Sequence, residues 1–118
     1  MAKAGQDEHL DRTFFALSDK TRRRMLERLS AGEATVSELA EPHAMSLPAV
    51  LKHLGVLRQA GLISEDKEGR VRRCRLDAEA LARANVWISR YRKFWEAQLD
   101  DLETYLDTLG ARDDGKKR

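Results

Sequence analysis

Three histidines and one cysteine are the side chains of this sequence best suited to metal binding or nucleophilic chemistry. His9 and His43 have no cysteine, histidine or carboxylate partner at a spacing typical of metal ligands, and Cys74 is the only thiol. The sequence also lacks a Ser/His/Asp or Cys/His set, a glycine-rich phosphate loop and a clustered pair of acids. These absences argue against an enzyme, and they predict no cofactor and no bound metal ion.

Hydrogen-bonding chemistry is concentrated instead in residues 46–61, which read as a short amphipathic helix. Ser46 is a good N-cap, and Pro48 suits the first turn, where a missing N–H does little harm. Gly61 suits the position just past the helix end, because it can turn left-handed. The apolar residues between these marks recur at helical spacing and form one stripe: Val50, Leu54 and Leu57.

The side of this helix opposite the stripe is small near its start and basic further on. Pro48 and Lys52 lie there, with Ala49 and His53 on its flank. A lysine can bind a phosphate oxygen or the O6 and N7 atoms of guanine, whereas His53 is either a DNA contact or a half-buried helix histidine. Ser46 can reach a phosphate as well as cap the helix. The predicted DNA contacts of this helix are Ser46, Pro48, Ala49, Lys52 and His53.

A second short helix precedes this one. Residues 36–41 form its pattern, with Ser37 as the expected cap, and residues 42–45 join the two helices. Two short helices at this spacing are typical of a helix-turn-helix that enters the major groove of DNA. A buried two-helix corner of an unrelated domain is the alternative interpretation.

After the second helix the periodicity changes from helical to alternating. Residues 62–65 and 71–76 bracket a glycine-containing loop, which predicts a β-hairpin, called the wing below. Arg70 and Arg72, near its tip, are predicted to contact the sugar-phosphate backbone or the minor groove. Cys74 falls on the inward face of the second strand, where packing is the expected role and redox sensing is the alternative.

Two further helices and a short strand are predicted before the helix-turn-helix. Residues 9–17 and 20–29 are predicted helices separated by a break and cap at Ser18-Asp19, and residues 34–36 form a short strand. Met25, Leu26 and Leu29 of the second helix are expected in the core, and the arginine run at residues 22–24 is expected to face solvent. One or two of these arginines can touch a phosphate, and a solvated basic face is the alternative.

A long C-terminal helix is predicted from Asp77 to about Leu109, with a joint near Asn85. Its broad aromatic stripe steps by three and four residues, as a heptad seam does, so we expect part of it to pack on a second copy. Basic residues in its first part and acidic residues in its second favour an antiparallel pair, braced by the helix around Phe14. The predicted dimer contacts are Phe14, Ile88, Tyr91, Trp95, Leu99 and Leu102.

Length and charge agree with one DNA-binding domain. The 118 residues divide into a disordered start (1–8), a winged-helix domain (9–109) and a disordered basic tail (110–118). The net charge is only +2, but residues 46–75 carry seven basic and three acidic side chains, whereas residues 77–107 carry four and seven. This basic middle fits a surface that meets phosphate on one side.

No apolar run approaches the roughly 18 residues of a membrane span, and no signal-peptide pattern opens the chain. A single cysteine agrees with a reducing cytoplasm. The fold class predicted from these patterns is mainly α: a winged helix-turn-helix with a two-stranded β-wing and a long C-terminal dimerisation helix.

Several linked motifs resemble those of the ArsR-type winged-helix transcriptional regulators. Residues 17–26, LSDKTRRRML, look like the family's opening "LADPTRRxIL". Its helix-turn-helix pattern is matched in order and spacing by residues 36–40, 45–50, 52–54, 56–57 and 60–63, and its wing by Gly69-Arg70, Arg73 and Leu76-Asp77. The resemblance covers residues 10–107 and implies a homodimeric bacterial repressor, which would bind an imperfect inverted repeat of double-stranded DNA in its own operon's promoter. A winged-helix module for protein or RNA contacts is the alternative.

The sequence departs from the family's metal-sensing members. Those members hold metals through cysteines in the helix before the recognition helix, or through Asp and His residues on the last helix. Here residues 35–41 contain no cysteine or histidine, and the last helix contains no histidine. The resemblance therefore points to a branch without metal sensing, and the sequence identifies no small-molecule effector. Leu51 also stands where many members carry a serine facing DNA.

Because the family's metal positions lack ligands, we expect Zn²⁺, Cd²⁺ or arsenite at micromolar concentration not to release the protein from DNA. Calorimetry and a DNA-binding assay with each ion check this. Stoichiometric metal binding with loss of DNA binding would contradict it and would indicate a site built across the dimer.

Overall fold

A computed structural model describes the backbone of residues 2–117 and the side chains of residue 5 and residues 7–110. This part of the chain forms six helices and three strands: α1 (Ala2–Leu17), α2 (Lys20–Ser30), β1 (Ala34–Thr35), α3 (Val36–Ala40), α4 (Leu47–Gln59), β2 (Ile63–Glu68), β3 (Val71–Leu76), α5 (Glu79–Ser89) and α6 (Arg92–Lys117). The predicted mainly α winged helix-turn-helix with a long C-terminal helix is confirmed, and the role of that helix in dimerisation stays a prediction. The chain divides into two compact units, residues 1–84 and residues 85–118. None of the helices in the described residues is long and apolar enough to cross a bilayer.

Helix α4 begins and ends where its sequence signals predicted. The Oγ atom of Ser46 accepts a hydrogen bond from the amide of Ala49 at 3.3 Å, and Pro48 lies in the first turn. Just past the helix, Gly61 has a φ of +74°, which a residue with a Cβ rarely adopts. Its apolar stripe is at most 1% exposed: Val50, Leu54 and Leu57.

The wing is confirmed, and a third strand joins it. β2 and β3 pair antiparallel over all six residues of each strand, with Gly69 (φ +61°) beginning the two-residue turn. The sheet order is β1-β3-β2, because the short β1 pairs with β3 and sets Ala34 opposite Cys74. Since α3 follows β1 directly, this pairing ties the helix-turn-helix to the wing.

One hydrophobic core holds residues 1–84 together. α2 contributes Met25, Leu26 and Leu29, as predicted. These side chains form one cluster with the stripe of α4, with α3 and with the inward side of the sheet. Burial of each such leucine stabilises the fold by about 1.5–3 kcal/mol, so α4 is fixed mainly by its stripe.

The predicted cap of α3 is wrong, because Thr35 rather than Ser37 caps this helix. The Thr35 hydroxyl accepts a hydrogen bond from the amide of Glu38 at 3.1 Å, and the Glu38 carboxylate accepts one from the amide of Thr35 at 3.0 Å. This reciprocal pair is a capping box. Thr35 also ends β1, so its backbone already has the extended conformation that an N-cap needs.

The arginine run at residues 22–24 does not face solvent as a whole, because Arg22 is only 8% exposed. Its position explains this. Arg22 precedes Met25 and Leu26 by three and four residues, so all three share the buried face of α2.

The terminal helices are longer than predicted. α1 begins at Ala2, and α6 continues to Lys117. The ranges predicted to be disordered, 1–8 and 110–118, are therefore helical over residues 2–8 and 110–117. Their remaining residues, Met1 and Arg118, lie outside the described residues.

The joint in the C-terminal helix lies at Arg90 and Tyr91 rather than near Asn85. There the amides of Arg90, Tyr91 and Phe94 donate to carbonyls only three residues earlier, at 3.0–3.2 Å. Such bonds belong to a tighter 3₁₀-like turn, which ends α5 and starts α6.

Candidate nucleic-acid interface

The predicted DNA contacts of α4 lie together on its first two turns. Ser46, Pro48 and Lys52 are exposed, whereas Ala49 and His53 are half-buried beside them. This arrangement follows from the helical period, because the opposite stripe is locked into the core. The structure thus brings the five side chains onto one side of one helix, and their contact with DNA stays a prediction.

One apolar side chain of this surface was missed by the sequence analysis. Leu47, the first residue of α4, is 56% exposed, while Leu51, one turn later, is half-buried. An exposed apolar group at the start of a recognition helix suits the C5-methyl group of thymine. Its exposure could have been predicted from its position in the sequence, since Leu47 precedes the buried stripe of α4.

His53 contacts the start of α2 through one ring nitrogen. Its Nδ1 atom lies 3.2 Å from Nη1 of Arg22 and 3.9 Å from the carboxylate of Asp19. That carboxylate also caps α2, accepting from the amides of Thr21 and Arg22 at 2.8 and 3.1 Å. The bond from the Arg22 amide is the main cause that lowers the pKa of Asp19, so this carboxyl is ionised at neutral pH.

The two predicted wing contacts differ in their surroundings. Arg70 lies exposed in the turn between β2 and β3, and the ion pairs among the described residues do not include it. Arg72 instead donates to the carboxylate of Glu65 at 2.6 Å. Arg58, near the end of α4, lies 3.3 Å from the other oxygen of the same carboxylate. Arg70 is therefore the freer cation of the pair.

Ion pairs also engage other wing arginines. Arg75 lies 2.7 Å from Asp66, and Arg73 lies 4.0 Å from Glu33. Lys52 takes part in no ion pair among the described side chains. Within residues 46–75, the basic charge outside these ion pairs is therefore smaller than the sequence count suggests. It comprises Lys52 on α4 and Lys67 and Arg70 near the wing tip.

Cys74 is fully buried in the sheet, as its inward position predicted. Burial, and next the charge of Glu65 on the neighbouring strand, raise the pKa of the thiol to about 11. The protonated thiol that results at neutral pH is a poor nucleophile, which favours packing over redox sensing.

The two other histidines lie apart from this surface. His9 is exposed on α1, and His43 is half-buried in the loop before α4. Among the residues whose side chains are described, no three His, Cys, Asp or Glu residues are grouped to hold a metal ion.

The fold and this surface have known relatives. A family profile for a helix-turn-helix domain matches residues 17–66. The HTH-type transcriptional regulator Rv2034 of Mycobacterium tuberculosis is 38% identical over 100 residues, which cover 85% of this chain and 91% of that protein. The crystal structure of the ArsR family transcriptional regulator RHA00566 is 44% identical, with a TM-score of 0.72, over 76% of this chain and 93% of that one. The chain belongs to the ArsR family.

Two further relatives of this ArsR family member bear on its activity. The transcriptional repressor SdpR of Bacillus subtilis is 38% identical over 60 residues, covering 51% of this chain and 67% of that protein. The homodimeric winged helix-turn-helix DNA-binding domain of Mb0332 from Mycobacterium bovis is 26% identical, with a TM-score of 0.61, over 80% and 89% of the two chains. The resemblance read from the sequence is confirmed, and the protein is a DNA-binding transcriptional regulator.

The assignment of α4 and the wing tip is tested with a duplex selected from a random pool. Lys52→Ala should weaken binding by about 1–3 kcal/mol if the lysine contacts a base, and by less if it contacts a phosphate. Arg70→Ala should lower the slope of log affinity against log salt by about 1. Arg72→Ala should have a smaller effect, because Glu65 already holds its guanidinium.

Fluorescence anisotropy at several salt concentrations measures both quantities. Arg24→Ala removes the same charge from an exposed position of α2 and should leave both unchanged. Unchanged affinity in Lys52→Ala, Arg70→Ala and Arg72→Ala together would contradict the assigned surface.

Proposed function

We propose that this protein is a homodimeric repressor that binds an inverted repeat in the promoter of its own operon. The observation that carries the proposal is the outward side of α4, where the exposed Lys52 stands beside the small residues Pro48 and Ala49. Small side chains let a helix approach base edges closely, and the major groove, about 12 Å wide, admits an α-helix. The likeness to SdpR, a named repressor, supports repression rather than activation.

The wing adds contacts beside the groove that α4 occupies. Arg70 lies at its tip, where it can reach a phosphate or the minor groove. Contacts of this kind fix the position of a protein on the duplex without reading sequence. Sequence preference then rests on α4, through Lys52 and His53 and through the apolar Leu47.

The dimer interface lies on α6, because this helix exposes large apolar side chains. Trp95 is 40% exposed and Leu102 is 51% exposed, although residues of these types are usually buried. The exposed set on α6 is Phe94, Trp95, Leu99, Leu102, Tyr105 and Leu106. A second copy is the proposed occupant, which the homodimeric relative Mb0332 supports. Ile88, Tyr91 and Phe14 are the further proposed dimer contacts.

The charges of α6 favour an antiparallel pair. Lys93 lies near the start of the helix, and Asp100, Asp101, Glu103 and Asp107 follow it as an acidic stretch. Antiparallel pairing over residues 92–109 sets each start beside the partner's acidic stretch. Arg92 contributes less than its charge suggests, because it lies 3.6 Å from Glu96 of its own helix. Exposed ion pairs give only about 0–1 kcal/mol each, so apolar burial supplies most of the affinity and the charges select the orientation.

Such a two-fold dimer presents two copies of α4 to two half-sites, separated by about one helical turn of roughly 34–36 Å. This geometry requires an inverted repeat, because the symmetry of the site must mirror that of the protein. DNA binding needs no metal ion in this proposal. The site of action is the cytoplasm, where the chromosome of a bacterium lies.

Trp95→Ala should weaken the dimer by about 2 kcal/mol and thereby lower operator affinity, because tryptophan is enriched among the few interface residues whose truncation costs this much. Sedimentation velocity at micromolar concentration and anisotropy with the selected duplex measure the two effects. Val86→Ala truncates another exposed apolar residue outside the proposed contacts and should change neither.

A wild-type protein that sediments as a monomer at micromolar concentration would contradict the dimer. So would a Trp95→Ala protein that stays dimeric and keeps its operator affinity.

A further inference from the structure

Arg22 occupies an unusual place, because its guanidinium is buried at the end of another helix. Its Nε donates to the carbonyl of Ala16 at 2.8 Å, and its Nη2 donates to that of Phe15 at 3.0 Å. The last carbonyls of a helix have no partner within the helix and carry its partial negative charge. The guanidinium also lies 5.2 Å from the centre of the Phe15 ring. Arg22 therefore fastens α2 to the end of α1.

The same guanidinium reaches the recognition helix α4. Its Nη1 lies 3.2 Å from Nδ1 of His53, a residue 31 positions away in sequence. An arginine has only donors and stays protonated, so Nδ1 must be the acceptor in this hydrogen bond. A neutral ring that accepts through Nδ1 carries its proton on Nε2.

The carboxylate of Asp19, which also lies near His53, does not form a hydrogen bond with Nδ1 of that ring. Asp19 lies 3.9 Å from Nδ1 of His53, which is too long for a hydrogen bond, and it already accepts from two backbone amides of α2. The polar partner of Nδ1 is therefore Arg22. Because Arg22 is only 8% exposed, its guanidinium is not placed to touch a duplex itself.

We propose that Arg22 is a positioning residue, which joins the end of α1 to α4 and holds His53 in the Nε2–H tautomer. His53 then meets DNA as a hydrogen-bond donor. Its partners are acceptor atoms on the base edges, namely the N7 of a purine, the O6 of guanine or the O4 of thymine. The inference rests on the proposed DNA-binding role of α4. It adds that His53 is a hydrogen-bond donor, rather than an acceptor, toward the duplex.

The tautomer is measured on the free protein, so this arm does not depend on DNA. Protein labelled with ¹⁵N at histidine is examined by long-range ¹H–¹⁵N correlation at about pH 8, where an ordinary imidazole is neutral. The His53 ring should show the Nε2–H pattern, and Arg22→Gln should give a mixture of tautomers. An Nδ1–H ring in the wild-type protein would overturn the inference.

The functional arm is a double-mutant cycle on the affinity ratio between the selected duplex and a scrambled one. Arg22→Gln and His53→Ala should each lower this ratio roughly three- to tenfold, the range expected for one hydrogen bond. If Arg22 acts through His53, the double variant should lose no more than the larger single effect.

Arg23→Gln is the matched control. Arg23 neighbours Arg22 and also donates to a carbonyl in the last turn of α1, that of Leu17 at 2.8 Å, but it does not contact His53. Its replacement should leave the affinity ratio unchanged, and His53→Ala supplies the functional measurement should Arg22→Gln fail to fold.

Additive losses in the double variant, or an unchanged ratio in His53→Ala, would overturn the inference while leaving DNA binding by α4 intact. A wild-type protein with no preference between the duplexes would instead contradict the proposed function. In that case the imidazole spectrum still decides where the proton of His53 lies.

Discussion

Burial of one face of α4 is the constraint on which the rest of this structure depends. A 13-residue helix that enters a DNA groove must leave one side exposed to the DNA. Only its opposite side can therefore pack against the rest of the protein. Val50, Leu54 and Leu57 supply that hold by packing into the core that α2, α3 and the sheet complete. The helix ends are fixed separately, by the Ser46 cap and by the left-handed Gly61. Rigid placement of this kind is what reading base edges requires.

For DNA binding by this protein, the positions of the charged side chains matter more than the net charge. The net charge is only +2, and Glu65 and Asp66 engage arginines of the wing and of the end of α4. These ion pairs join side chains within the wing and between the wing and α4, but they leave fewer cations free to bind DNA phosphates. Lys52 and Arg70 stand outside them, one on the recognition helix and one at the wing tip. A surface of this type binds DNA through the few cations that the fold leaves unpaired. Its affinity for DNA falls as the salt concentration rises.

Periodicity and caps in the sequence were enough to predict α4, the hairpin and the buried side of α2, because those signals are local. The cap of α3 was predicted at Ser37, although Thr35 and Glu38 form the T-x-x-E pattern of a capping box, which is already present in the sequence. Arg22 was expected in solvent, since its partners come from α1 and from His53, far away in sequence. The burial of Arg22 depends on tertiary contacts that a local pattern does not show, and the joint at residues 90–91 has no glycine or proline to mark it.

The central claim is that the outward side of two α4 helices enters the major groove of one duplex at two half-sites. Methylation interference on a selected duplex tests it most directly, because methyl groups at guanine N7 block the major groove and those at adenine N3 block the minor groove. The account predicts that N7 methylation prevents binding in two clusters about one helical turn apart and related by inversion. Interference confined to the minor groove, or a single cluster without a symmetry mate, would contradict it.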